Sequence, residues 1–104
     1  VRWLKSYWDE EDILFYFEAD ADGVVLRQVE LHGPNREPIA AGSLSEMPDA
    51  GRDGVDAVVD YERRYGALAD QPISTWDKGF PHEEIGSDEF ERSWTAARAH
   101  LEGR

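Results

Sequence analysis

The sequence predicts an α+β fold, an antiparallel meander of about four strands in residues 1–45 followed by two helices, at about 54–65 and 88–102, packing on one face. Residues 1–45 consist of short runs rich in aromatic and β-branched residues, which are typical of strands and are separated here by turn residues. In the two later segments, apolar residues recur at intervals of three and four, the period of an amphipathic helix. The length of 104 residues is close to the commonest domain size, so we expect a single domain over residues 1–104.

The first two strands are predicted at VRWLKSYW and ILFYFE, with the polar tetrapeptide DEED joining them as a hairpin. Residues of ILFYFE should alternate between the two faces of the sheet. VVLRQVELH is the third predicted strand. The fourth, at residues 38–44, contains proline and glycine and therefore suits a sheet edge better than its centre.

Two helices are expected in the second half of the chain. Asp53 is predicted to cap the first helix, which Gly66 ends, and Ser87 or Asp88 is predicted to cap the second. The connection at 67–86 contains two prolines and scattered aromatic residues, so we expect it to pack against the domain through its rings.

Charge and composition limit the classes of ligand. The chain carries 23 acidic against 11 basic residues, a net charge of -12, which disfavours nucleic acid and anionic membrane as direct partners. It has no cysteine, which excludes a disulfide framework, a thiolate zinc site and a cysteine nucleophile, and fits a reducing cytosol. No apolar run is long enough to span a membrane, and the N-terminal residues turn acidic too early for a signal peptide. We therefore expect a cytoplasmic protein.

The stretch EADADG, residues 18–23, begins like a calcium-binding loop. Position one would be Glu18 instead of aspartate, and position twelve, which needs a bidentate glutamate, falls on Val29. The neighbouring segments are predicted strands, whereas the calcium loop lies between helices. Asp-Gly between two apolar runs is a strong hairpin signal, so we predict a turn and no metal site.

Catalytic motifs are absent from the sequence. The histidines His32, His82 and His100 lie far apart, and HEE at residues 82–84 lacks the second histidine of a zinc protease motif. No nucleophile elbow, phosphate loop or dinucleotide fingerprint is present. We therefore assign no catalytic residue and no cofactor, and leave enzymatic activity open.

An acidic stretch suggests one binding surface. Residues 9–22 contain seven acids and no base, which serves solubility or forms a negative face that steers a basic partner. The candidate partner-binding residues are Asp9, Glu10, Glu11, Asp12, Asp20 and Asp22.

Arg27 suggests a second site. Alternation places it on the apolar side of the third strand with Val25, Val29 and Leu31, where an unpaired charge would be costly. One interpretation is an ion pair with a carboxylate such as Glu18, or an arginine that reaches the solvent at an edge. The alternative is an anion-binding arginine in a pocket between sheet and helices. The apolar walls of that pocket would be Tyr7, Tyr16 and Trp94.

Aromatic residues are too numerous for one face of the first hairpin. Some must lie on the second face, where they would form an apolar patch or line a cavity. Core packing explains part of the set, and a homodimer through an uncovered sheet face is the alternative. The residues are Trp3, Tyr7, Trp8, Phe15, Tyr16 and Phe17.

Three segments resemble a known family: FYFEADADGVVLRQVEL, GPNREPIA and EEIGSDEFERSW. They are similar to a family of small acidic proteins of unknown function from Streptomyces and related actinobacteria. The shared features are an N-terminal strand ending in tryptophan and acids, an E-x-D-x-x-G turn, an R-x-V-E strand and a C-terminal helix beginning here SDEFERSW. Residues 46–80 are outside the resemblance, which implies an intact domain in a bacterial cytosol and no catalytic residue.

The functional expectation is a non-enzymatic, acidic protein-interaction module, an immunity-like or regulatory partner of a nuclease or other basic protein. The first alternative is a small-anion-binding protein or enzyme that uses Arg27. The second is a homodimeric scaffold.

Overall fold

Five antiparallel strands form one sheet, in the order β4-β3-β2-β1-β5, in the computed structural model, which describes residues 1–76 and 79–103. The strands are β1 (Arg2–Trp8), β2 (Ile13–Ala19), β3 (Val25–His32), β4 (Glu37–Ser43) and β5 (Glu83–Ile85). The helices are α1 (Ala50–Asp53), α2 (Val55–Tyr65) and α3 (Ser87–Glu102), with 3₁₀ turns at Leu44–Glu46 and Ile73–Thr75. The predicted α+β class, the four-stranded meander and the two longer helices are confirmed.

The two edges of the sheet differ in how well the sequence predicts them. Strand β4 occupies one edge, as its Pro38 and Gly42 indicate. Strand β5 at the other edge was not predicted, because its three residues, EEI, are too few to show alternation. It returns from the long connection to pair with β1, with Trp3 opposite Ile85.

The helices cover one side of the sheet, which we call the helix face. Tyr16, Val29 and Ala41 project from the sheet into a core that Phe90 and Leu101 of α3 complete. Because β2 alternates, Phe15 and Phe17 point to the opposite side, as predicted. We call that opposite side the groove face.

The groove face is partly covered, which corrects the expectation of an uncovered sheet face. Ile73 of the connection is buried against this side, and Leu68, Ala69 and Trp76 pack beside it. The Ile73 N–H donates to the carbonyl oxygen of Gly23 at 2.8 Å. The prediction that the connection packs through its rings is confirmed by Trp76. Its ring contacts that of Phe17 edge-on, with 5.2 Å between the two ring centres.

A β-bulge changes one predicted face. Arg27 pairs with Glu18, but the next pair along β2 joins Ala19 to Val25, so one extra residue of β3 is left between them. The extra residue places Val25 on the groove face and Arg27 on the helix face. The prediction that Val25 shares a face with Arg27 is therefore wrong, whereas Val29 does belong to the helix-face core.

Both predicted helix caps are wrong. Asp53 is the last residue of α1, and Asp49 caps that helix by accepting hydrogen bonds from the backbone N–H groups of Gly51 and Arg52. Helix α2 then begins directly after Gly54. Helix α3 follows Gly86 without a side-chain cap, so Ser87 and Asp88 lie within its first turn.

EADADG forms the predicted turn. The Asp20 carboxylate accepts hydrogen bonds from the backbone N–H groups of Asp22 and Val24, both at 2.9 Å. Gly23 has φ 85°, a left-handed conformation that favours glycine. Within residues 1–76 and 79–103, no group of three potential ligand side chains could hold a metal ion.

No helix in the described part of the chain combines the length and apolar character needed to cross a membrane.

Gly66 provides a test of the packing between α2 and β4. Its φ of 88° and ψ of 168° are accessible essentially only to glycine, and an added Cβ would lie 2.5 Å from the Cβ of Ala40. We expect Gly66→Ala to lower the free energy of unfolding by about 1–3 kcal/mol from backbone strain, with a further loss from the contact. Urea denaturation measures both effects together.

The matched control is Gly86→Ala. Gly86 has φ −86°, and an added Cβ there would meet no atom within 4 Å. Its loss should not exceed about 1 kcal/mol, the usual cost of a poorer N-cap. Equal losses in the two variants would contradict the described packing.

Candidate functional site

Arg27 joins the sheet to α3 on the helix face. Its Nε and Nη2 donate to the two oxygens of Glu18 at 2.7 and 2.8 Å. Its Nη1 and Nη2 also donate to the two oxygens of Glu91 at 3.0 and 2.6 Å. The guanidinium carbon lies 4.8 Å from the ring centre of Phe90 and 5.0 Å from that of Trp94. Two bidentate pairs and two rings therefore fix this side chain in place.

Every nitrogen of the Arg27 guanidinium donates to a carboxylate. These hydrogen bonds hold the pKa of Glu18 below its ordinary range, and Trp3 Nε1, donating to Glu18 at 3.0 Å, acts in the same direction. The contacts match the ion-pair interpretation of Arg27. An anion that bound here would have to displace Glu18 or Glu91, and anion binding stays a prediction.

The proposed walls of the anion pocket are only partly brought together. Trp94 lies over Arg27, and Tyr16 is on the same sheet face, where burial raises the pKa of its phenol. Tyr7 instead lies near the β1–β2 turn, with its ring 5.0 Å from the guanidinium carbon of Arg36 and its hydroxyl donating to Asp12 at 2.8 Å.

The six candidate acids do not form one surface. Residues 9–12 precede β2 and Asp20 and Asp22 follow it, so the two groups lie at opposite ends of a seven-residue strand. A strand of that length spans roughly 23 Å. The carboxylate of Asp20 is also engaged by its own turn.

Three carboxylates of the β1–β2 turn have no cationic partner among the described residues. Asp9, Glu10 and Glu11 are exposed and take part in no ion pair there, whereas the neighbouring Asp12 pairs with Arg36 at 3.1 Å. Many of the other acids are paired. Those in contact with an arginine include Asp12, Glu18, Glu46, Asp53, Asp60, Glu84, Glu91 and Glu102.

An aromatic groove of about 320 Å³ lies on the groove face. Its rings follow one another at centre-to-centre distances of 5.1, 5.5, 5.2 and 5.3 Å, so they form one continuous row. In that order the rings are Trp8, Phe15, Phe17, Trp76 and Phe80. Gln28 and Ala69 complete the lining.

The local sequence pattern of β1 and β2 accounts for three of the five rings of this groove. Phe15 and Phe17 alternate on β2, and Trp8 lies at the end of β1, in agreement with the prediction that some aromatic residues line a cavity on the second face. Trp76 and Phe80 come from the connection and were missed as groove residues. Only their aromatic character pointed to a packed position, because the connection shows neither helical nor strand periodicity.

The groove opens towards the unpaired acids. A second depression of about 310 Å³ shares Trp8 and Phe80 with the groove and continues to Asp9, Glu10 and Glu11. Trp8 is 42% exposed, so a large aromatic side chain lies in solvent beside these carboxylates. Aromatic and acidic surface are therefore continuous at this end of the domain.

A half-buried carboxylate, Glu30, lies beside the groove. The Nε2 of Gln28 donates to Glu30 at 3.1 Å, while the Oε1 of Gln28 accepts from the Ala69 N–H at 2.8 Å. Burial raises the pKa of Glu30, and the Glu11 carboxylate raises it further, against the opposite effect of the Gln28 hydrogen bond. No base pairs with Glu30 in the part of the chain that the structure describes.

Comparisons of this chain with family models, with curated proteins and with solved structures give no match. The resemblance to the actinobacterial family therefore stays a prediction.

The Arg27 cluster gives a pH-dependent prediction. We expect Glu18→Gln to lower the free energy of unfolding near pH 7 by about 1.5–3 kcal/mol, the usual contribution of a hydrogen bond to a charged group. Because the pKa of Glu18 is lowered from 4.5 in the folded state, its stabilisation is complete above that value and is lost as pH falls through the folded pKa. The stabilities of wild type and variant should therefore converge in acid.

Urea unfolding near neutral pH and at several values below 4.5 measures this convergence. Glu62→Gln is the control, since Glu62 is exposed on α2 and forms no ion pair within the described ranges. The control should stay within about 0.5 kcal/mol of wild type. A Glu18→Gln deficit that persists undiminished in acid would contradict the assignment.

Proposed function

We propose that this chain is a protein-interaction module that binds a basic protein through the end of the sheet formed by the β1–β2 turn. The observation that carries the proposal is the set of exposed carboxylates, Asp9, Glu10 and Glu11, beside the exposed ring of Trp8. Carboxylates that no arginine or lysine of the described chain neutralises are available to a cation on another protein.

Electrostatics favours this partner. A net charge of -12 attracts basic proteins over distances of about a Debye length and accelerates their association. Carboxylates at an interface rim contribute mainly to association rate and specificity. The acidic part of the binding surface comprises the β1–β2 turn without Asp20 and Asp22, which lie at the other end of β2.

Interface chemistry also favours this end of the domain. Tyrosine and tryptophan are enriched among the residues that contribute most to binding energy in protein complexes. Tyr7 and Trp8 are each 42% exposed and directly precede the acidic turn. A partner that covered them would bury aromatic area within an acidic rim.

Composition and the family resemblance favour a bacterial, cytoplasmic protein. The absence of cysteine fits the cytoplasm, and the resemblance implies a bacterial source. An immunity-like or regulatory role towards a nuclease or another basic protein matches these features.

The test is affinity capture by the tagged protein from an extract of the cells that produce it, at about 50 and 300 mM salt. The triple variant D9N/E10Q/E11Q is compared with the wild type. We expect a basic protein that the wild type enriches at low salt and that the variant loses. With the purified pair, association at low salt should be about tenfold slower for the variant.

The matched control is D22N/D56N/E62Q, which removes the same charge from exposed positions away from the β1–β2 turn. It should retain capture and most of the association rate. Equal losses in the two variants would assign the effect to net charge alone. Self-association at both salts, measured as molar mass in solution, would support the homodimer instead.

A further inference from the structure

We propose, on the basis of the proposed function, that the aromatic groove receives an arginine side chain of the basic partner. The groove would hold the alkyl part and the guanidinium face against its rings. The guanidinium edge would pair with Glu30 beside the groove, near the carboxylates of Glu10 and Glu11 in the adjoining depression. This assigns one anchoring residue of the interface and its chemical type.

The rings provide the first argument. A guanidinium is attracted to the face of tryptophan most strongly, and to phenylalanine and tyrosine, within about 6 Å of the ring centre. Trp8 lies at one end of the row and is 42% exposed, Trp76 and Phe80 lie at the other end and are half-buried, and Phe15 and Phe17 between them are buried. The rings of Trp8, Trp76 and Phe80 are therefore the ones that a guanidinium would meet. The same chain already uses this interaction, because Arg27 stacks on Trp94 and Phe90.

The carboxylates provide the second argument. Glu30 is half-buried, and its only hydrogen-bond partner in the described chain is Gln28, a neutral amide. A buried carboxylate without a cationic partner is costly, and a guanidinium would remove that cost by pairing with it. Glu11, which raises the pKa of Glu30, adds negative potential at the same place.

Size and charge together select one side chain over other occupants. The groove volume of about 320 Å³ is at the lower end of the roughly 300–1,000 Å³ typical of ligand pockets, which suits a single side chain. The carboxylates of Glu30 beside the groove and of Glu10 and Glu11 in the adjoining depression favour a cationic side chain over an uncharged one and disfavour a second copy of this acidic chain. Arginine is favoured over lysine because its planar cation is weakly hydrated and stacks on aromatic rings.

The test uses the full chain and N-acetyl-arginine amide as the probe. Two-dimensional amide NMR follows the indole N–H signals of Trp8 and Trp76 and the side-chain amide of Gln28. We expect these signals to shift on titration, with a dissociation constant in the millimolar range for a single residue. N-acetyl-citrulline amide, the neutral isostere, should bind about five- to tenfold more weakly, because it lacks the charge-assisted hydrogen bonds.

Two variants locate the probe. Glu30→Gln should weaken binding of the arginine probe by about fivefold or more and leave citrulline binding unchanged. Glu62→Gln, which makes the same change on α2, should leave both affinities unchanged. Equal binding of arginine and citrulline probes, or shifts confined to the acidic turn without signals from Trp76 and Gln28, would overturn the groove assignment.

The two proposals fail separately. Retained capture of a basic partner by a protein that shows no arginine binding in the groove would overturn this inference and leave the proposed function in place. Specific arginine binding in a protein that captures no partner would support the groove chemistry while removing the evidence for the interaction module.

Discussion

The double ion pair of Arg27 is the interaction on which the arrangement of this domain depends. It connects Glu18 on β2 with Glu91 on α3, and Phe90 and Trp94 close around it. A second arginine, Arg98 of α3, donates to the carbonyl oxygen of Ala41 at 2.7 Å. The helix is thus held on the sheet by hydrogen bonds as well as by its apolar core. Because these cations are met by carboxylates and rings within the domain, they do not offset the negative surface elsewhere.

The distribution of charge follows from this arrangement. Arg27 and Arg98 pair where α3 meets other elements, and the β1–β2 turn projects from the end of the sheet, where among the described residues only Asp12 of the four acids is paired. Helix α3 fills the helix face, and on the groove face Phe15 and Phe17 are buried in a second apolar core while Trp8 is 42% exposed. The connection covers that face only in part, and the groove stays open towards the turn. One end of the domain therefore presents aromatic rings together with carboxylates that pair with no cation of residues 1–76 and 79–103.

The features of the fold that depend on local sequence patterns were predicted. Alternation in β2 and periodicity in α3 set the strands, the helices and the opposite faces of Phe15 and Tyr16. The pair Glu18–Arg27 was one of the alternatives predicted for Arg27, because a charge on the apolar face needs a partner. Strict alternation would place Val25 and Arg27 on the same face. The bulge that separates them depends on how β3 pairs with β2, and this pairing leaves no signal in the sequence of β3 alone. Trp76 and Phe80 reach the groove through tertiary contacts of the connection, whose sequence shows neither helical nor strand periodicity. The acids at 9–12 lie far from Asp20 and Asp22 because β2 separates them.

We propose that this domain binds a basic protein through its β1–β2 end and its groove face. Hydrogen–deuterium exchange of the chain, alone and in complex with the captured basic partner, tests it directly. We expect binding to slow amide exchange at residues 8–11, in the 15–17 segment of β2 and at residues 28–30, and to leave exchange in α3 unchanged. Slower exchange confined to α3 and β4, with residues 8–11 unaffected, would contradict it.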